Sequence, residues 1–116
     1  MNTTTLIGRL GQDPDIRVTT GGTSVATFRL AVPNPQDDDH PNWIPVKCLG
    51  KTADAVAEYL SKGNQVAVTG RLESSEWDDK DGQHHWKLEV LARNVEFLNT
   101  RNTSNNDTDN RQEATV

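Results

Sequence analysis

Apolar and polar residues alternate most cleanly between Val25 and Val32, where Ala26, Phe28, Leu30 and Val32 fall on one side and Val25, Thr27, Arg29 and Ala31 on the other. A period of two belongs to a strand with one face buried. Trp43 to Leu49 repeats it, with Ile44, Val46 and Cys48 opposite Trp43, Pro45, Lys47 and Leu49. Pro45 has no amide hydrogen to donate, so this strand is expected at an edge or a bulge. Upstream, Thr3 to Leu10 and Ile16 to Thr19 read as one strand bent at Gly11-Gln12-Asp13-Pro14, with a tight turn at Gly21-Gly22 after it. Downstream, Gln65 to Leu72 reads as a strand with Val66 and Val68 inward, and Gly70 marks a point where it coils sharply. Asp81-Gly82 predicts a hairpin between two tryptophan-bearing arms. Trp86 to Leu98 completes the strands, setting Leu88, Val90 and Ala92 against Leu91 and Val95.

The period changes once, after Gly50. Thr52 is the expected N-cap of a short helix, Asp54 suits its first turn, and Ala53, Val56, Ala57 and Leu60 make its apolar stripe. Gly63 is expected to close it. Such a helix is too short to hold alone and is expected to plug one end of a barrel. Pro33 to Pro41 has almost nothing to bury and predicts an exposed, mobile loop. From Asn99 to Val116 there is asparagine, threonine and charge without an aromatic ring, which predicts a disordered tail. With the bent first strand counted singly, the order is β-β-β-α-β-β. That is the order of an all-β, five-stranded OB-fold barrel with a short helix between strands 3 and 4, spanning residues 1–98.

Composition adds two constraints. Hydrophobic residues make up 33% of 116 residues, so the core is thin and association with further copies is expected. The net charge is -5, and much of the acid sits in Asp37-Asp38-Asp39 and between Glu73 and Asp81. A nucleic-acid surface must then be a local patch of cations and rings on an acidic body. Cys48 is the single cysteine, no apolar run approaches the roughly 18 residues of a membrane span, and the start lacks the pattern of a secretion signal. A cytoplasmic location without membrane attachment is the expectation.

The chain resembles the bacterial-type single-stranded DNA-binding proteins, the SSB family. The resemblance runs from about Asn2 to Leu98, through Leu6-Ile7-Gly8-Arg9-Leu10-Gly11-Gln12-Asp13-Pro14, Gly22 to Ala31, Trp43 to Gly50, Glu58-Tyr59-Leu60-Ser61-Lys62-Gly63, Val68-Thr69-Gly70-Arg71-Leu72 and Glu89 to Leu98. It implies an OB fold, usually a homotetramer, that wraps single-stranded DNA in replication, recombination and repair. It also implies base stacking at Trp43 and Trp77. The family's stacking phenylalanine on the third strand falls on Leu49, and a further family tryptophan has no counterpart in the loop Pro33 to Pro41, so Trp86 is expected to compensate. The family's acidic, hydrophobic tip is replaced by Gln112-Glu113-Ala114-Thr115-Val116, so recruitment of replication proteins through a tip is not expected. An accessory paralogue, a mobile-element or DNA-uptake copy, or a shortened chain would each show that ending.

The residue types agree with this chemistry. Stacking is indifferent to which base is offered, so binding without sequence preference needs exposed rings beside cations. Trp43 shares a strand face with Lys47, and Trp77 stands in a polar hairpin arm; Trp86 is either a DNA contact or the cross-strand partner of Trp77. Lys47, Lys51 and Arg71 lead the candidates for phosphate contact, followed by Arg9, Arg29, Lys80 and Lys87. Asn2, Thr4 and Leu6 lie on a first strand whose edge is expected to meet another subunit. His40, His84, His85 and Cys48 lack the spacing of a metal site, no nucleophile with a partnered base is legible, and neither a cofactor nor an enzymatic activity is expected. Two rival readings fit the same residues: an OB-type module that holds another protein, and a ligand-free oligomerisation barrel.

Overall fold

The computed structural model describes residues 1–99. The tail expected to be disordered lies outside these residues apart from Asn99, which ends the last strand. Six strands and one helix follow in the order β1 (Thr4–Leu10), β2 (Asp15–Val18), β3 (Ser24–Val32), β4 (Asn42–Leu49), α1 (Gly50–Tyr59), β5 (Gln65–Asp78) and β6 (His84–Asn99). The pairings run β1-β5-β6-β4-β3-β2, and an additional β1–β3 pairing closes the circuit. All contacts are antiparallel except β4 with β6. The chain is therefore an all-β domain of the OB type with its helix between β4 and β5, as the element order predicts.

The single bent first strand is two strands. Leu10 stands opposite Leu30, and Asp15 opposite Thr27, so β1 and β2 lie end to end along β3 with an excess of chain between them. Pro14 cannot continue the ladder, and Gln12-Asp13-Pro14 leaves the sheet as a bulge. At Pro45 the only strand neighbour of β4 is β3, and β6 joins at Val46, which is how a proline is accommodated in a closed sheet.

The inward residues alternate as β3 and β4 predict. Phe28, Leu30, Val46, Cys48, Val66, Val68 and Val90 are buried together, with Leu10 beside them. Burial pushes the Cys48 thiol up to about 12, so it stays protonated inside the core. Gly70 sits where backbones approach: a Cβ there would lie 2.1 Å from the Leu91 carbonyl oxygen. The register of β5 against β6 shifts between Thr69 and Gly70, pairing Thr69 with Asn94 but Gly70 with Ala92. The extra residue, Arg93, inverts the parity of β6, so Val95 lies on the same inward face as Val90 and Ala92 rather than beside Leu91.

The helix differs from expectation at both ends. It begins at Gly50, so Thr52 is inside it; Leu49 holds the N-cap position without a side-chain cap, and Asp54 falls beyond the first turn. Gly50 has φ 63, a conformation glycine reaches readily, and this lets β4 turn directly into α1. Ala53, Val56 and Leu60 are buried, whereas Ala57 faces solvent. Helix α1 ends at Tyr59, and Leu60 already has an extended backbone. Gly63 lies in the turn beyond, donating its N–H to the Leu10 carbonyl at 2.9 Å. The loop after β3 is exposed at Asp37-Asp38-Asp39, and the Asp37 carboxylate is tied to the ring of His40 at 2.8 Å.

Candidate nucleic-acid interface

The outward residues of three strands form one surface. On β4 these are Trp43, Pro45, Lys47 and Leu49, since Val46 and Cys48 are buried. The pairing of Lys47 with Leu91 continues this face onto β6, where Glu89, Lys87 and His85 follow at alternate positions. Cross-strand pairing carries it onto β5 through Arg71, Glu73, Ser75 and Trp77. Strand β3 adds Thr27 and Arg29 next to Lys47 and Pro45. Between the β3–β4 pair and the hairpin stem lies a cleft of about 290 Å³, walled by Gln12, Thr27, Arg29, Pro45, Lys87 and Glu89 over Phe28 and Val46.

Trp43 is 44% exposed and held from two sides. The Arg29 guanidinium lies 4.9 Å from its ring centroid, a cation–π contact. Gly11 passes so close that a Cβ there would lie 2.3 Å from the ring. A side chain at position 11 would therefore move the indole. Trp77, 47% exposed, stacks on His85 with ring centroids 5.4 Å apart and planes at 20°.

A supporting chain runs through the hairpin turn. The Asp79 carboxylate accepts the Asp81 and Gln83 N–H groups at 2.9 Å each, and its other oxygen accepts the His85 Nε2–H at 2.8 Å. His85 in turn backs Trp77. The His85 hydrogen bond, followed by the Gln83 N–H, holds the Asp79 carboxyl below its ordinary value.

The cations of this face are paired with carboxylates. Lys47 and Lys87 both contact Glu89, at 3.4 and 3.3 Å, and Arg71 contacts Glu73 at 3.0 Å. Their partners were not among the residues expected from sequence, although the alternation of Lys87, Glu89 and Leu91 puts them on one face. Gly11, Gln12 and His85 were also missed; the contact between Gly11 and Trp43 joins distant segments and leaves no local signal.

Other candidates lie elsewhere. Trp86 pairs with Glu76 rather than Trp77, and so points to the reverse face of the hairpin, exposed with Leu72 and Leu88. An Asp81-Gly82 two-residue turn would have set it opposite Trp77; the observed turn spans residues 79–83 and moves the register by one. Lys51 lines a separate cavity of about 230 Å³ between α1 and β6 with Thr52, Asn94 and Phe97. Arg9 donates from Nη1 to the Gly63 carbonyl at 3.0 Å, and Lys80 is exposed at the hairpin tip. Leu49 is 43% exposed at the end of β4. Asn2 brackets the backbone of Leu72 with two hydrogen bonds of 2.9 Å. Thr4 is partly buried, and the Leu6 side chain packs against the core. Among the described residues, no group of three or more His, Cys, Asp or Glu side chains is placed to hold a metal ion, and no helix is long and apolar enough to cross a membrane.

A closed OB-type sheet with half-exposed indoles among cations on one face is the arrangement of an oligonucleotide-binding domain. A sequence model of the Single-strand binding protein family matches residues 1–98, and the chain belongs to that family. Single-stranded DNA-binding protein 1 of Staphylococcus aureus is 39% identical over 113 residues, covering 94% of this chain and 72% of the relative. Single-stranded DNA-binding protein 3 of Clostridium acetobutylicum is 39% identical over 116 residues, covering 97% and 81%. A single-stranded DNA-binding protein of Bacillus anthracis is 42% identical over 106 residues, covering 88% and 62%.

Proposed function

We propose that this protein binds and protects single-stranded DNA without sequence preference during replication, recombination and repair, and that it is a binding protein rather than an enzyme. The observation that carries this is the single face on which Trp43 and Trp77 stand half exposed among Lys47, Lys87, Arg29 and Arg71. Bases stack on the two indoles while the cations track phosphates, and Leu49 extends the platform with an apolar rather than an aromatic surface. A duplex hides its base faces and binds through phosphates alone. Lys51, Arg9 and Lys80 stand outside the cleft and contribute at most long-range attraction; Trp86 meets only a strand that rounds the hairpin edge. The names of the relatives support the reading.

The protein acts in the cytoplasm as a homo-oligomer, a homotetramer in keeping with the family resemblance. Support comes from the thin core and from Ile7 and Leu98, exposed at 50% and 45% on β1 and β6. The subunit contact runs along β1 near Asn2, Thr4 and Leu6 and uses the strand's backbone edge.

The test is a tryptophan-fluorescence titration with an oligothymidine of about 35 nucleotides, beside the matching duplex. Strong quenching by the single strand alone is expected, and Trp43→Ala or Trp77→Ala should each cost about 1–3 kcal/mol of binding. Absence of quenching at low salt would overturn the reading.

A further inference from the structure

Glu89 is the most enclosed charged group of the candidate DNA face. Its side chain is 13% exposed, against 34% for Lys47 and 47% for Lys87, and each carboxylate oxygen has its own ammonium, Oε1 at 3.4 Å from Lys47 Nζ and Oε2 at 3.3 Å from Lys87 Nζ. Directly across the strand pair stands a second carboxylate, Glu73. Like charges placed opposite each other in a sheet are unfavourable. Two of them in the middle of a surface that must meet phosphate are unfavourable twice.

We propose that Glu89 is a specificity-determining residue, an internal competitor for DNA phosphate that occupies Lys47 and Lys87 in the free protein. The proposal rests on the reading of this face as a DNA-binding site. A phosphate that engages either lysine must draw it from Glu89 and then lie near the remaining carboxylate charge, which solvent screens poorly at that depth. The penalty falls on every polyanion but not equally: each lysine withheld costs a duplex more than a single strand at low salt, because the duplex releases about 0.9 counterions per cation engaged against about 0.7. Stacking of unpaired bases on Trp43 and Trp77 lies outside the reach of the carboxylate, so the single strand keeps the larger share of its binding and Glu89 widens its advantage over duplex.

The experiment uses Glu89→Gln, which keeps size and shape and removes the charge, with circular dichroism and thermal unfolding to verify the fold. Oligothymidine and the matching duplex are titrated across a salt series. Releasing two lysines is expected to tighten oligothymidine binding roughly five-fold at low salt. The slope of log K against log salt should steepen by about 1.4 for the single strand and about 1.8 for the duplex, at about 0.7 and 0.9 per cation. The preference for single strands should narrow. Adding Lys47→Gln to Glu89→Gln should remove about half of the extra slope. A folded Glu89→Gln protein with unchanged affinity, slope and preference would overturn the proposal while leaving the function intact. Weaker binding would overturn it equally, since Glu89 would then be orienting the lysines for DNA. Failure of the unmodified protein to bind oligothymidine would remove the functional reading and this inference with it.

Discussion

Trp43 has a ring fixed by neighbours that do not touch it in sequence. Gly11 lies beneath its edge, and Arg29 covers it at 4.9 Å. A ring already held in place loses less freedom on meeting a base than one that swings freely. The role of Gly11 is therefore spatial, and Gly11→Ala is expected to displace the indole, at an overpacking cost of about 1–3 kcal/mol if the ring cannot yield. Oligothymidine affinity should fall and the tryptophan emission should shift, with far-ultraviolet circular dichroism unchanged. A Gly11→Ala protein with unaltered emission and affinity would show that the ring has room to spare.

At the scale of the element, the β5–β6 hairpin has two unlike faces. One carries Trp77, backed by His85 and Asp79; the other carries Trp86, Leu88 and His84. His84 lies between carboxylates, Nδ1 at 3.0 Å from Asp78 and Nε2 at 2.7 Å from Glu76. A neutral imidazole has one N–H for two acceptors, so the charged form is favoured and the His84 pKa is raised, by Asp78 first and Glu76 second. With the folded value above the unfolded one, its contribution is complete below the ordinary histidine value and is lost as pH rises through the raised value. Ring chemical shifts should follow a midpoint above that ordinary value, and Asp78→Asn or Glu76→Gln should bring it down. Asp79 has the opposite sign: its lowered carboxyl favours the hairpin above the ordinary carboxylate value, and this is lost as pH falls through the lowered one.

For the molecule as a whole, a small core closes the sheet and a short helix covers it. Leu30, fully buried, faces Ile44 on β4 and Leu10 on β1, so it belongs to the layer where β1, β3 and β4 meet. Leu30→Ala is expected to cost about 2–5 kcal/mol, read as a lower midpoint of urea unfolding, and in a core this thin that is a large share of the total stability. The net charge of -5 is unevenly spread. Much of the acid lies in the Asp37–Asp39 loop and around the hairpin turn, while on the candidate face the four cations Lys47, Lys87, Arg29 and Arg71 outnumber the two carboxylates Glu73 and Glu89.

By itself the sequence determined which residues of β3 and β4 face inward, because neighbouring side chains on a strand must point to opposite sides. It also determined that the chain reverses around Asp81-Gly82, though not the length of that turn, that a helix follows β4, and that Trp43 stands outward beside Lys47, all set by local backbone geometry. Tertiary structure decided the rest. The bulge at Arg93 inverted the parity of β6, the longer turn gave Trp77 to His85 instead of Trp86, and closure of the sheet brought Gly11 to Trp43 and Glu89 between two lysines. Each depends on the register between strands, and a shift of one residue there exchanges the faces of every side chain beyond it.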